Sequence, residues 1–94
     1  MHVGKALDKL LKLLDSEPTN LDTFVKAVVL LHGLDKANSD FDIGERVNGI
    51  VREKIQDVRS WYEILCGLGE DLNLPKEDIC GHIRNCLFTL KRQI

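Results

Sequence analysis

Apolar residues recur at intervals of three and four along most of the chain, which is the spacing of amphipathic helices. No stretch of alternating apolar and polar residues is long enough to predict a strand. Signals that start and end helices divide the pattern into five segments. The predicted long helices cover about residues 2–16, 19–33, 41–53, 55–70 and 75–92.

The helix boundaries depend on a few residues. Gly33 is expected to end the second helix, because glycine readily adopts the left-handed conformation of a C-cap. Residues 34–40 have room for one short helical turn. Ser39 and Asp42 then fit the serine-x-x-acid signature of a helix start, and Pro75 suits a first helical position. The predicted fold is all-α: a compact bundle of five main helices plus one short helical turn.

The same periodicity predicts which side chains face the core. The second helix is apolar on most of its sides, so it is predicted to be central in the bundle. Trp61 is expected in the core and Tyr62 at its rim, where an aromatic ring with a polar end can anchor a partner. The predicted inward stripe of the second helix is Leu21, Phe24, Val25, Val28 and Leu31.

The stretch DIGERVNGI, residues 42–50, places two glycines in a predicted helix. Gly44 shares one face with Val47 and Val51. A missing Cβ there is expected to let a neighbouring helix pass closely, so Gly44→Leu should destabilise the fold. Gly49 lies off this face, and Gly49→Ala is expected to be neutral or mildly stabilising.

Length and composition describe one globular unit, predicted as a single domain over 1–94. Apolar residues make up 44% and charged residues 30% of the chain, and the formal net charge is −2. Neither half has an excess of basic residues, so direct nucleic-acid binding is not expected. The sequence shows no signal peptide and no long apolar run, which predicts an intracellular protein of the nucleus or cytoplasm with no membrane contact.

Candidate chemistry is sparse. Cys66, Cys80, His82 and Cys86 are the only group that resembles a metal site, but they lack the C-x2-C clamp of structural zinc sites. Small buried cysteines are more often core residues. The acids are spread along the chain, and no glycine-rich phosphate loop is present. The sequence therefore predicts no cofactor, no metal, no catalytic residue and no enzyme activity.

One segment resembles a known family. The motif IGERVN at residues 43–48 and the NLD at residues 20–22 follow the order of helices in the N-terminal domain of transcription elongation factor TFIIS, the Leu-Trp domain. That family includes the integrase-binding domain of a growth-factor-derived co-activator. The resemblance covers about half of the chain. The family's Trp lies late in its last helix, whereas Trp61 lies early, and VREK replaces a basic turn.

The resemblance implies a non-enzymatic protein-protein interaction module that binds short disordered peptide motifs of transcription-related partners. Binding would use the link at 34–41 and the turn at 52–57, through a few aromatic anchors and nearby cations. The predicted partner-binding residues are Phe41, Arg52, Lys54, Ile55 and Tyr62.

Two other readings stay open. A death-fold-type adaptor is also a helical bundle of this length, although that fold has six comparable helices. A homodimerisation domain is the other alternative. Its seam would be the last helix, where apolar residues at 79, 83, 86 and 90 have the spacing of a helix-helix contact.

Overall fold

The computed structural model describes residues 3–15, 19–40, 45–70 and 72–93. These residues form four helices around one core, with a radius of gyration of 12.9 Å. Helices α1 and α3 each pack against both α2 and α4, so the four helices close into a bundle. Their bounds are α1 Val3–Leu14, α2 Leu21–Asp40, α3 Glu45–Leu65 and α4 Lys76–Gln93.

The prediction of five main helices is wrong, because the two helices predicted on either side of residue 54 are one continuous helix over Glu45–Leu65. Neither glycine nor proline occurs between Ile50 and Leu65. The residues at the expected break, Arg52 to Lys54, are good helix formers. The core stripe also continues through this point at steps of four and three, as in one uninterrupted helix. The buried residues of this stripe are Val51, Ile55, Val58, Tyr62 and Leu65.

The predicted stop at Gly33 and the separate turn at 34–40 are also wrong. Helix α2 continues through Gly33 to Asp40. Leu34 and Asn38 are buried in this last part, and the Asn38 amide donates a hydrogen bond to the Asn48 carbonyl of α3 at 3.2 Å. Packing against α3 therefore outweighs the weak helix propensity of one glycine.

The ends of two helices follow from local chemistry. The Asn20 side chain accepts a hydrogen bond from the Thr23 backbone N–H at 3.1 Å and thereby caps the start of α2. Helix α3 ends at a Schellman motif. The Leu68 N–H donates to the Glu63 carbonyl at 2.9 Å, and Gly67 adopts a φ of +76°. Helix α3 therefore ends just before Gly67, earlier than its predicted end at residue 70.

Tyr62 lies in the centre of the core, and its predicted position at the rim is wrong. It is fully buried, and its hydroxyl donates a hydrogen bond to the Leu10 carbonyl of α1 at 2.9 Å. Burial raises the pKa of this phenol far above its usual range. Trp61 is only partly buried instead, and its ring stacks on His82 with centroids 4.4 Å apart.

Helices α1 and α4 pack their apolar faces against the core. Both helices carry one apolar face that the bundle buries, as their spacing indicates. The buried residues are Ala6, Leu7, Leu10 and Leu14 of α1 and Ile79, Ile83, Leu87 and Leu90 of α4.

Candidate protein-interaction surface

The first half of helix α2 faces the core with small side chains. Thr23 and Ala27 are buried, and neither has a long side chain to fill the interior. Leu21 and Val25, which were predicted to point inward, are exposed. Leu31 of the same predicted stripe is buried and Phe24 is partly buried against the core, so the prediction is correct for these two residues. The helix is apolar on more than one side, and periodicity alone therefore could not define the limits of its inward face. The full buried stripe is Thr23, Ala27, Leu31, Leu34 and Asn38.

The outer face of α2 carries an apolar row. Leu21, Val25 and Val29 follow one another at steps of four, and their side chains are 58%, 51% and 61% exposed. A step of four residues advances about 6 Å along a helix, so the row extends for roughly 12 Å. Single exposed apolar residues are common, but a continuous row of them on one helix is typical of a binding surface.

This row forms one side of a groove between α1 and α2, with a volume of about 450 Å³. Leu13 and Leu30 are partly buried and form its floor, while Val25 and Val29 form its wall. We call it the α1/α2 groove. Its lining residues are Lys9, Lys12, Leu13, Val25, Lys26, Val29 and Leu30.

The charged side chains at the groove are all lysines. Lys9 and Lys12 lie on α1, and Lys26 lies on α2. The acids of α1 point elsewhere, since Asp8 and Asp15 pair with basic residues of α4 at 3.7 and 2.6 Å. Within the described part of the chain, no ion pair involves Lys9 or Lys26. The groove is therefore apolar at its base and positive at its edges.

The residues predicted to bind a partner do not form a loop site. Arg52 and Lys54 are surface residues of α3, each near an aspartate at 3.9 and 3.8 Å. Ile55 and Tyr62 are buried in the core. Phe41 lies outside the described residues. The turn expected at 52–57 is helical, and Arg52 lines a smaller hollow of about 190 Å³ between α2 and α3.

Three of the four candidate metal residues lie on α4, and the fourth, Cys66, directly follows the end of α3. Cys66, Cys80 and Cys86 are partly buried, and burial raises the pKa of Cys66 and of Cys86. His82 is held in its stack with Trp61. Among the described residues, no three His, Cys, Asp or Glu side chains come together as metal ligands would.

The expected dimer seam of the last helix belongs to the core of the single chain. Ile79, Ile83 and Leu90 are buried there, and Cys86 packs partly against the same cluster. A contact between two copies would need another surface. The four helices of the described residues also differ from the six of a death fold.

None of the described helices is both long and apolar enough to cross a membrane. Comparisons with known protein families, with curated proteins and with solved structures find no match to this chain. The resemblance to the TFIIS N-terminal domain stays a prediction, and the α1/α2 groove is the feature from which function can be argued.

Proposed function

We propose that the chain is a non-enzymatic protein-protein interaction module whose α1/α2 groove binds a short apolar segment of a partner that also carries acidic side chains. The observation that supports this most strongly is the exposed row of Leu21, Val25 and Val29 beside the groove. Covering apolar surface contributes about 25 cal/mol per Å², so a partner side chain that fills the groove stabilises the complex.

The shape of the groove suits a helical segment. A row at steps of four on one helix packs against a similar row on another, with side chains at i, i+4 and i+8 or at i, i+3 and i+7. Lysines on both edges can extend their alkyl stems along the apolar surface and place their ammonium groups beside carboxylates of the partner. Acidic residues flanking an apolar row therefore fit this surface best.

The apolar base and the lysines of the groove indicate an apolar partner segment with acidic side chains. Only the sequence resemblance implies that this partner is related to transcription. The charged groups that line the groove are three lysine ammonium groups. None of the other lining residues is an acid, a histidine or a cysteine that could form a catalytic pair with a lysine. The function that the groove supports is therefore recognition without chemistry.

A labelled synthetic peptide tests the proposal. The probe is an amphipathic helix with leucines at i, i+4 and i+8 and glutamates on both flanks. The matched control replaces each glutamate by lysine. Fluorescence anisotropy is expected to show saturable binding of the acidic probe only. Equal binding of both peptides, or of neither, would contradict the proposed charge selectivity.

Variants on two surfaces then locate the site. Val25→Ser and Lys26→Glu should each weaken binding about fivefold, because each removes roughly 1 kcal/mol of contact. Arg52→Glu is the matched control on α3 and should leave binding unchanged. All three side chains are exposed, so circular dichroism should show unchanged melting. Loss of binding in Arg52→Glu alone would move the site to the surface that the sequence predicted.

A further inference from the structure

The exposed apolar side chains of the described residues fall into two groups. Seven large apolar residues are exposed, and three of them are the row on α2. Three others are Leu68, Leu72 and Leu74, which are 45%, 43% and 40% exposed. These belong to the connection between α3 and α4, and we call its described residues, 66–70 and 72–75, the leucine loop. Only Phe88 on α4 lies outside both groups.

The leucine loop carries the opposite charge to the groove. Glu70 is exposed within it, and Glu77 and Asp78 are exposed at the start of α4 directly after it. The sequence adds a further acid at position 71. The single cation of this stretch, Lys76, is turned toward its own chain, since its ammonium donates to the Thr19 hydroxyl at 3.4 Å.

The backbone of the leucine loop is shaped to present these side chains. Gly67 and Asn73 adopt left-handed φ values of +76° and +55°, which reverse the chain between the two helices. Leu72 and Leu74 line only one side of a hollow of about 400 Å³ at this end of the bundle, and their other sides stay open to solvent.

We propose that the leucine loop of one copy of this chain docks into the α1/α2 groove of a second copy. This inference rests on the proposed function of the groove and names the segment that fills it. The apolar row of one copy meets the leucines of the next, and Lys9 and Lys26 face the acids around Glu70. The contact is heterologous, because the two surfaces are different.

The charges exclude the symmetric arrangements. Two grooves placed face to face would oppose lysines to lysines, and two leucine loops would oppose acids to acids, which costs free energy in both cases. The groove is formed by α1 and α2, whereas the loop joins α3 and α4. One copy can therefore use both surfaces at once, and repeated contacts give an open chain or a closed ring.

The contact area is small, so each single contact is expected to be weak. Light scattering of the full chain should show a molar mass that rises with concentration to at least twice that of the monomer. Added salt should lower it, since it screens the lysine-carboxylate attraction. A constant monomer mass at every concentration overturns the inference. If that monomer still binds the acidic probe selectively, the proposed function stands and the partner is another protein.

Complementation between two variants gives the decisive result. The groove variant carries Val25→Ser with Val29→Ser, and the loop variant carries Leu68→Ser with Leu72→Ser. Each retains one intact surface and should be monomeric alone. An equimolar mixture should form a dimer that grows no further. Assembly of either variant alone, or no dimer in the mixture, contradicts head-to-tail docking.

If a serine variant has a lowered melting temperature, a pair of charge-exchange variants tests the same contact. Lys26→Glu and Glu70→Lys each alter one exposed side chain, so the fold should be unaffected. Each alone opposes like charges across the contact and should reduce assembly. Their mixture restores opposite charges and should assemble again. Failure of the mixture to recover would overturn the proposed pairing of these two surfaces.

Discussion

Two glycines near α3 have opposite roles, which only their surroundings reveal. Gly49 lies within α3, is exposed, and has no atom within 4 Å of the place where a Cβ would be. Gly67 follows the helix end with a φ of +76°. Gly49→Ala should therefore stabilise the chain by up to about 1 kcal/mol. Gly67→Ala should destabilise it by about 1–2 kcal/mol, because an L-residue is strained there.

Urea unfolding of both variants measures this difference in the free energy of unfolding. Only the effect of Gly49→Ala was predicted from the sequence. The prediction for Gly49 followed from helix periodicity, while the special conformation of Gly67 depends on where α3 ends. Equal effects of the two substitutions would contradict the assigned ends of α3. The predicted packing role of Gly44 concerns a position outside the described residues.

The buried phenol of Tyr62 makes stability depend on alkaline pH. The ordinary pKa of tyrosine is about 10, and burial raises it in the folded chain. Above this pH the unfolded chain loses the proton while the folded chain keeps it. The contribution of Tyr62 to the free energy of unfolding should therefore be constant below this pH and fall as pH rises further, by up to about 1.4 kcal/mol per pH unit.

Tyr62→Phe is the matched control for this pH effect. At neutral pH it should lose about 1 kcal/mol, since the hydrogen bond to the Leu10 carbonyl is removed. At alkaline pH the difference between the free energies of unfolding of the two proteins should become smaller, because the variant has no phenol to titrate. Tyr62 is the only tyrosine of the chain, so tyrosinate absorbance reports this group alone. A difference that stays constant would show that the phenol titrates normally.

At the scale of the element, the inward face of a strongly amphipathic helix could be predicted from the sequence. Helix ends that were indicated only by weak signals were predicted wrongly. The inward faces of α1 and α4 followed from spacing, because each has one clear apolar face. The orientation of α2 did not, because Thr23 and Ala27 face the core while the larger Val25 and Val29 face solvent. Close packing of small residues depends on the neighbouring helices, and the pattern along a single segment does not contain that information.

The continuity of α3 can be tested at the expected break. Lys54→Ala and Lys54→Gly both remove the contact with Asp57 at 3.8 Å, so their difference reports the backbone alone. Within a helix, the Gly variant should be less stable than the Ala variant by about 1 kcal/mol in denaturant unfolding. In a turn between two helices, the two variants would be equally stable, which would contradict a single α3.

At the scale of the whole molecule, the net charge of −2 conceals a separation of charge and apolar surface. Lysines surround the α1/α2 groove, and acids surround the leucine loop between α3 and α4. The charge composition predicts no nucleic-acid binding, and it could not locate these patches, because both arise from helix packing. The predicted site near Arg52 and Lys54 failed to form a loop for the same reason, since packing made that segment helical.

The most direct measurement of the central claim is an NMR titration of the isotope-labelled chain with the acidic amphipathic probe. The account predicts that the shifted backbone signals cluster at Lys9, Lys12, Val25 and Val29, on the two helices that form the α1/α2 groove. Signals around Arg52 should stay unchanged. Shifts centred on Arg52, or no shifts at saturating probe, would contradict the α1/α2 groove as the binding surface.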